Sequence, residues 1–214
     1  MIELTGYRRR NFLSVEDLAT AALLLGGRLA INFANVPSYP GAPSQDLSWE
    51  ELIAFLQGSN IVSAERASSL LALSGSDPDA AQALLSRSVR LRDALRRAFG
   101  AMVRKEGIAR EWAEPINQIL RITEGHDELV FEGNAWKMEF QAREGGLDWL
   151  LAAVARSAAE ILVEGTQARL RICGNPACGL FFSDNSRTHR RRWCSMAICG
   201  NRHKVASFAR RHTS

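Results

Sequence analysis

RICGNPACGLFFSDNSRTHRRRWCSMAICGNR, residues 171–202, contains every cysteine of this chain: Cys173, Cys178, Cys194 and Cys199. They form two Cys-x4-Cys pairs separated by fifteen residues. Thiolates are favoured ligands for structural zinc, and four of them complete a tetrahedral shell. The spacing therefore points to one zinc ion per chain held by these four residues. A disulfide pair and free buried thiols are the alternatives. His189, His203 and His212 are close enough in sequence to replace a cysteine, but with four thiols available they are expected at the surface or on phosphates. A redox role fits poorly, because the reactive spacing is Cys-x2-Cys. A catalytic metal needs an open coordination position, and four thiolates leave none.

Around these cysteines the sequence predicts a strand over 168–172 and a tight turn at Gly174, Asn175 and Pro176. A second strand follows at 180–182, then a turn at Asp184, Asn185 and Ser186, and a returning segment at 191–194. Ser195 is placed to cap a helix running to about Arg211. A turn with two ligands, a hairpin, and a helix whose start carries two more is a treble-clef-like arrangement. Segments this short seldom bury enough surface to fold alone, so a metal is expected to hold this one together. Trp193, next to Cys194, is expected to pack over the metal site. Asp184 is expected to cap a turn or pair with one of Arg190–Arg192.

Charge separates this module from the rest. The 214-residue chain has a net charge of +4. From residue 166 onward there are ten Lys and Arg against one acid, Asp184, a net +9 that leaves −5 on the first 165 residues. A basic tail on an acidic body suggests an anionic partner, nucleic acid above all. On a helical wheel Ile198, Val205, Phe208 and Ala209 share an apolar stripe flanked by Arg202, Lys204 and Arg211. That suits a helix docked on phosphates or one buried against the acidic body.

Upstream, the sequence reads as mainly helical. A short apolar helix is expected over 15–25, and the apolar run 29–34 can be read as either type. Prolines at 37, 40 and 43 mark a loop. Ser48 with Glu51 is a capping-box pattern opening a helix, and another helix is expected over 63–73. Asp77-Pro78 opens the longest helix, to about Lys105, with Leu84, Leu91, Leu95, Phe99 and Met102 along one buried face. Arg87, Arg90, Arg92, Arg96 and Arg97 lie mostly off that face and are expected in solvent. A helix over 109–122, a hairpin of 129–131 with 136–140, and a helix from Leu147 to Ile161 complete the body. His126 with Asp127 and Glu128 reads as a solvated loop. No phosphate-cradling glycine loop, nucleophile elbow or His/Glu metal motif is evident, so no enzyme activity is expected. No apolar run approaches the ~20 residues that span a bilayer, no targeting signal stands out, and a cytoplasmic location is expected, without a membrane partner.

Phe182-x-Asp184-x-Ser186, Arg192-Trp193-Cys194-Ser195-Met196 and Cys199-Gly200-Asn201-Arg202 with Lys204 resemble the CGNR zinc-finger family. The run Leu29-Ala30-Ile31-Asn32-Phe33-Ala34-Asn35, with Trp49 and Leu52, resembles the ABATE domain that precedes this finger. That family's pattern has an acid at position 32 and a threonine at position 36, where this chain has Asn32 and Val36. The resemblance implies a two-domain bacterial stress-related transcription regulator, with Cys173, Cys178, Cys194 and Cys199 on zinc and the finger on DNA.

The resulting expectation is a mainly α protein. Residues 1–165 form an ABATE-like helical domain with a small hairpin, and 166–214 form the zinc module ending in a helix. Arg190, Arg191, Arg192, Asn201, Arg202, Lys204, Arg210 and Arg211 are the candidate DNA contacts. Asn201 is read as supporting the metal site or bonding a base. The body would dimerise, sense a small-molecule effector, or both, with a pocket near Asn32 and Asn35 as the place for a ligand. The competing expectation is a zinc-stabilised module that binds RNA or an acidic protein.

Overall fold

The computed structural model describes residues 25–36, 47–123, 125–132, 135–142 and 146–212. The expected helix over 15–25 and the proline loop lie almost wholly outside these residues. Seven α-helices are described: α1 (Leu29–Ala34), α2 (Trp49–Gly58), α3 (Ala64–Ser76), α4 (Pro78–Arg104), α5 (Glu114–Ile122), α6 (Ala152–Glu164) and α7 (Asn201–His212). Two two-stranded antiparallel sheets accompany them: β1 (Gly125–Glu132) with β2 (Ala135–Ala142), and β3 (Leu170–Ile172) with β4 (Phe181–Ser183). The mainly α reading, with a hairpin and a C-terminal cysteine module ending in a helix, is what the chain adopts.

Local chemistry sets the helix starts. At α2 the Ser48 hydroxyl accepts from the Glu51 amide and the Glu51 carboxylate accepts from the Ser48 amide, a complete capping box. Ser63 caps α3 and Asp77 caps α4, with Pro78 in the first turn where its missing N–H costs nothing. The segment over 109–122 divides into a short 3-10 turn at Arg110–Trp112 and then α5. The helix starting at Leu147 likewise begins as a 3-10 turn, Asp148–Leu151, before α6.

The core gathers around α1. This six-residue helix is too short to persist alone, yet Ala30, Ile31, Phe33 and Ala34 are fully buried. It packs against α4, α6 and β4. Two arginines of α4 complete its C-terminal end: Arg92 donates to the Val36 carbonyl (3.2 Å) and Arg96 to the Ala34 carbonyl (3.0 Å). Cations suit the negative end of a helix, and these satisfy carbonyls the helix leaves unpaired. The expectation of a solvated arginine face holds for Arg90 and Arg97, which are exposed, and is corrected for Arg92, which is buried, and Arg87, which pairs with Asp148.

His126, Asp127 and Glu128 form part of strand β1 rather than a loop, opposite Gln141, Phe140 and Glu139. On the hairpin, Leu129, Phe131 and Met138 are all more than half exposed.

Candidate metal centre

Strands β3 and β4 carry the first cysteine pair between them. The Cys173 amide donates to the Leu180 carbonyl (2.8 Å) and the Cys178 amide to the Asn175 carbonyl (2.9 Å), folding 173–180 into a tight knuckle. The returning segment is not a strand, contrary to the expected second hairpin: residues 190–194 are irregular. A single backbone bond, Gly174 N–H to the Arg192 carbonyl at 2.8 Å, lays Cys194 over the knuckle. Cys199 arrives on a wide turn, Met196–Gly200, that precedes α7. Ser195 caps it, and the Gly200 amide reaches five residues back to the Ser195 carbonyl. The expected helix start at Ser195 is thus met by one π-helical turn, a widening often found at functional sites.

These elements bring the four sulfurs to within 4.8 Å of one another. Cys178 and Cys194 sulfurs are 3.7 Å apart, and Cys194 and Cys199 sulfurs 3.8 Å. A tetrahedral zinc with Zn–S bonds of about 2.3 Å requires S···S edges of about 3.8 Å. Both distances match that edge. The cluster is buried, apart from half-buried Cys178. Hydrogen bonds from Cys178 and Cys194 pull the Cys173 thiol well below its ordinary value, while the contact with Cys173 pushes Cys178 up and the contacts with Cys173 and Cys178 push Cys194 up. Four buried or half-buried sulfurs this close together are a donor set that fits a metal ion.

Outer contacts orient the ligands. The Asn175 side-chain Nδ2 donates to the Cys199 sulfur and the Cys194 backbone N–H to the Cys173 sulfur, both at 3.5 Å. Asn201 donates to the Ala197 carbonyl (3.1 Å), bracing the turn that carries Cys199. Trp193 is buried, and its indole lies between two glycines. A Cβ on Gly174 would meet it at 3.3 Å, and one on Gly200 also at 3.3 Å. His203 stacks near it, with ring centroids 4.8 Å apart. Sequence reading placed Gly174 and Asn175 in a turn and Gly200 in a motif but missed these contacts, although the Cys-Gly-Asn repeated at Cys173 and Cys199 was a usable signal.

Asp184 is fully buried. It accepts from the Ser186 hydroxyl (2.6 Å) and amide and from the Arg191 amide (3.0 Å), and it pairs with Arg171 at 2.9 Å. The ion pair is therefore with Arg171, not Arg190–Arg192. Burial pushes its carboxyl up, but these hydrogen bonds and Arg171 prevail and hold it below the ordinary value.

The candidate DNA contacts divide. Arg190, Arg192, Asn201, Arg202 and Lys204 are exposed around the metal site. Arg191 is half-buried over the Phe182 ring and donates to the Trp193 and Cys194 carbonyls, so its guanidinium is committed internally. Arg210 and Arg211 occupy the end of α7. Val205 and Phe208 of the same helix are 70% and 58% exposed, so these two residues of the apolar stripe are not buried against the acidic body.

Asn32 and Asn35 are not where the ligand-pocket reading needs them. The Asn32 carboxamide oxygen accepts from the Gly26 N–H (2.8 Å). Asn35 takes both backbone bonds of Phe181, donating to its carbonyl (2.8 Å) and accepting from its N–H (2.9 Å). Both side chains are buried and engaged with backbone, and Asn35 ties the helical body to β4.

Fold and site together define a helical domain joined to a four-cysteine metal-binding finger. Residues 169–212 match the CGNR zinc finger, and residues 27–165 match the ABATE domain, whose family is described as "putative stress-induced transcription regulator". The second match spans well over half of the sequence, and the chain belongs to the ABATE family. No curated protein matches it.

Proposed function

We propose that this protein is a zinc-dependent, DNA-binding transcriptional regulator that acts in the cytoplasm by binding rather than catalysis. One zinc per chain holds the finger, and the helical body senses a ligand, dimerises, or both. The observation that carries the reading is the exposed basic rim of the metal site: Arg190, Arg192, Arg202 and Lys204 all reach solvent, with Asn201 among them. Cations fixed by a rigid metal-clipped element are suited to phosphate contacts, which position a protein on a duplex. The exposed hairpin residues Leu129, Phe131 and Met138 support self-association. Among the described residues no helix is long and apolar enough to cross a membrane.

The test is a salt titration of duplex binding with the zinc-loaded chain, read by fluorescence anisotropy. Affinity should fall steeply with salt. Removing Arg202 or Lys204 should each lower the log–log slope by about one. Absent duplex binding, or a flat salt response, would sink the regulator reading. Single-stranded RNA outcompeting the duplex would replace it with the RNA-binding alternative.

A further inference from the structure

A cleft of about 660 Å³ lies between the end of α4 and the finger. Its apolar lining comes from both sides: Met102 and Val103 from α4, Leu170 and Ile172 from β3. Its charged lining is entirely cationic, with Lys105, Arg169, Arg171, Arg191 and Arg192 beside His189 and no carboxylate. Asp184 neutralises Arg171, and Arg191 is tied to carbonyls. No carboxylate of the described residues pairs with Lys105, Arg169 or Arg192.

The backbone singles out the same place. Four non-glycine residues among those described have positive φ, and three of them line this cleft: Lys105 (60°), Arg169 (49°) and His189 (50°). Glycine takes this left-handed conformation freely, whereas other L-residues pay a steric cost. Lys105 and Arg169 take it as the C-caps of α4 and of the 3-10 turn Gly165–Ala168, and His189 takes it in the turn after β4, so three long side chains stand where glycine would be easier. Strain of this kind gathers where a side chain is needed for binding or catalysis.

The volume falls within the range of small-molecule sites, and apolar walls with a few convergent polar groups are their usual lining. Convergent guanidinium groups with a lysine point charge recognise a phosphoryl dianion. We propose that this cleft binds a phosphorylated small molecule with an apolar or aromatic body, held by Lys105, Arg169 and Arg192 across the seam of body and finger. The inference places the ligand-sensing half of the proposed function. Its link to regulation rests on that reading, but the binding itself does not.

Calorimetric titration of the zinc-loaded full chain at constant ionic strength tests it, with phenyl phosphate as probe and phenol as uncharged control. Phenyl phosphate should bind saturably at one per chain, and phenol should not bind. In the double variant Lys105→Gly/Arg169→Gly, affinity should fall at least tenfold while the melting temperature without probe stays near wild type, because glycine accepts both backbones. If that variant melts lower, Lys105→Gln supplies the comparison. No binding at millimolar phenyl phosphate, or unchanged affinity in the variants, overturns the proposal. So does displacement of the probe by duplex DNA with an equal loss of DNA affinity in the double variant, since the cleft would then hold a backbone phosphate. Lost duplex binding with phenyl phosphate binding intact would remove the regulator reading and leave this site standing.

Discussion

Asn35 is the side chain on which the two parts of the molecule depend most directly. Asn35→Ala would leave the Phe181 N–H and carbonyl buried and unpaired, at about 1–3 kcal/mol for each group. Urea denaturation should show a lowered midpoint, and Asn35→Asp should not restore it, because a carboxylate cannot donate to the Phe181 carbonyl. Gly26 is constrained just as tightly: a Cβ there would lie 2.6 Å from Ile31 Cγ2 and 2.7 Å from Asn32 Oδ1. Asp184 makes a prediction about pH. Its folded pKa lies below the ordinary 3.8, so its stabilising contribution is complete above about that pH and is lost as pH falls through the folded value. A carboxyl carbon titration by NMR should place its midpoint below 3.8, whereas a midpoint above it would contradict the hydrogen-bonded burial seen here. At this scale the sequence revealed the four cysteines that cluster but not the clamps. Thiols at fixed spacing have few other uses, whereas an asparagine's role depends on which backbone the fold brings to it.

At the scale of elements, short-range chemistry was legible. The capping box at Ser48 and Glu51 and the caps at Ser63 and Asp77 act over three residues, so sequence reading places them well. Ser48→Ala should cost about 1 kcal/mol, measurable by thermal melting. The finger behaves differently, because its two three-residue strands and wide turn have little stability of their own. Structural zinc in peptides contributes on the order of 10–16 kcal/mol, nearly all of it as folding free energy. Chelation should therefore reduce the near-UV tryptophan signal by the share that Trp193→Phe removes, and Cys178→Ser should weaken metal binding in a competition assay. The second hairpin was misread because the apparent return at 191–194 is held by one backbone bond and side-chain packing, not by a ladder.

For the whole molecule, β4 decides how the parts cohere. Successive strand residues point to opposite faces. Leu180 and Phe182 therefore enter the metal-site core, while Phe181 enters the body's core edge-on to Phe99, with centroids 6.0 Å apart. Leu25 packs in the reverse direction, from the body side against the metal-site core, and the Ser183 N–H bonds the Gly26 carbonyl at 2.9 Å. Unfolding should be one cooperative event. Far-UV dichroism and release of zinc to a chromogenic chelator should share one melting transition, and Phe181→Ala, at about 3–5 kcal/mol, should lower both. Separate transitions would show that the seam is weaker than its contacts. The sequence by itself determined the four cysteines that cluster, the helical class, the caps and the uneven charge, because each is written in residue type at short spacing. Only the tertiary structure decided that Asn35 clamps Phe181, that Arg92 and Arg96 finish α1, and that Lys105 meets Arg169 across a cleft. Those residues are far apart along the chain, and no local pattern records which of them the fold will bring together.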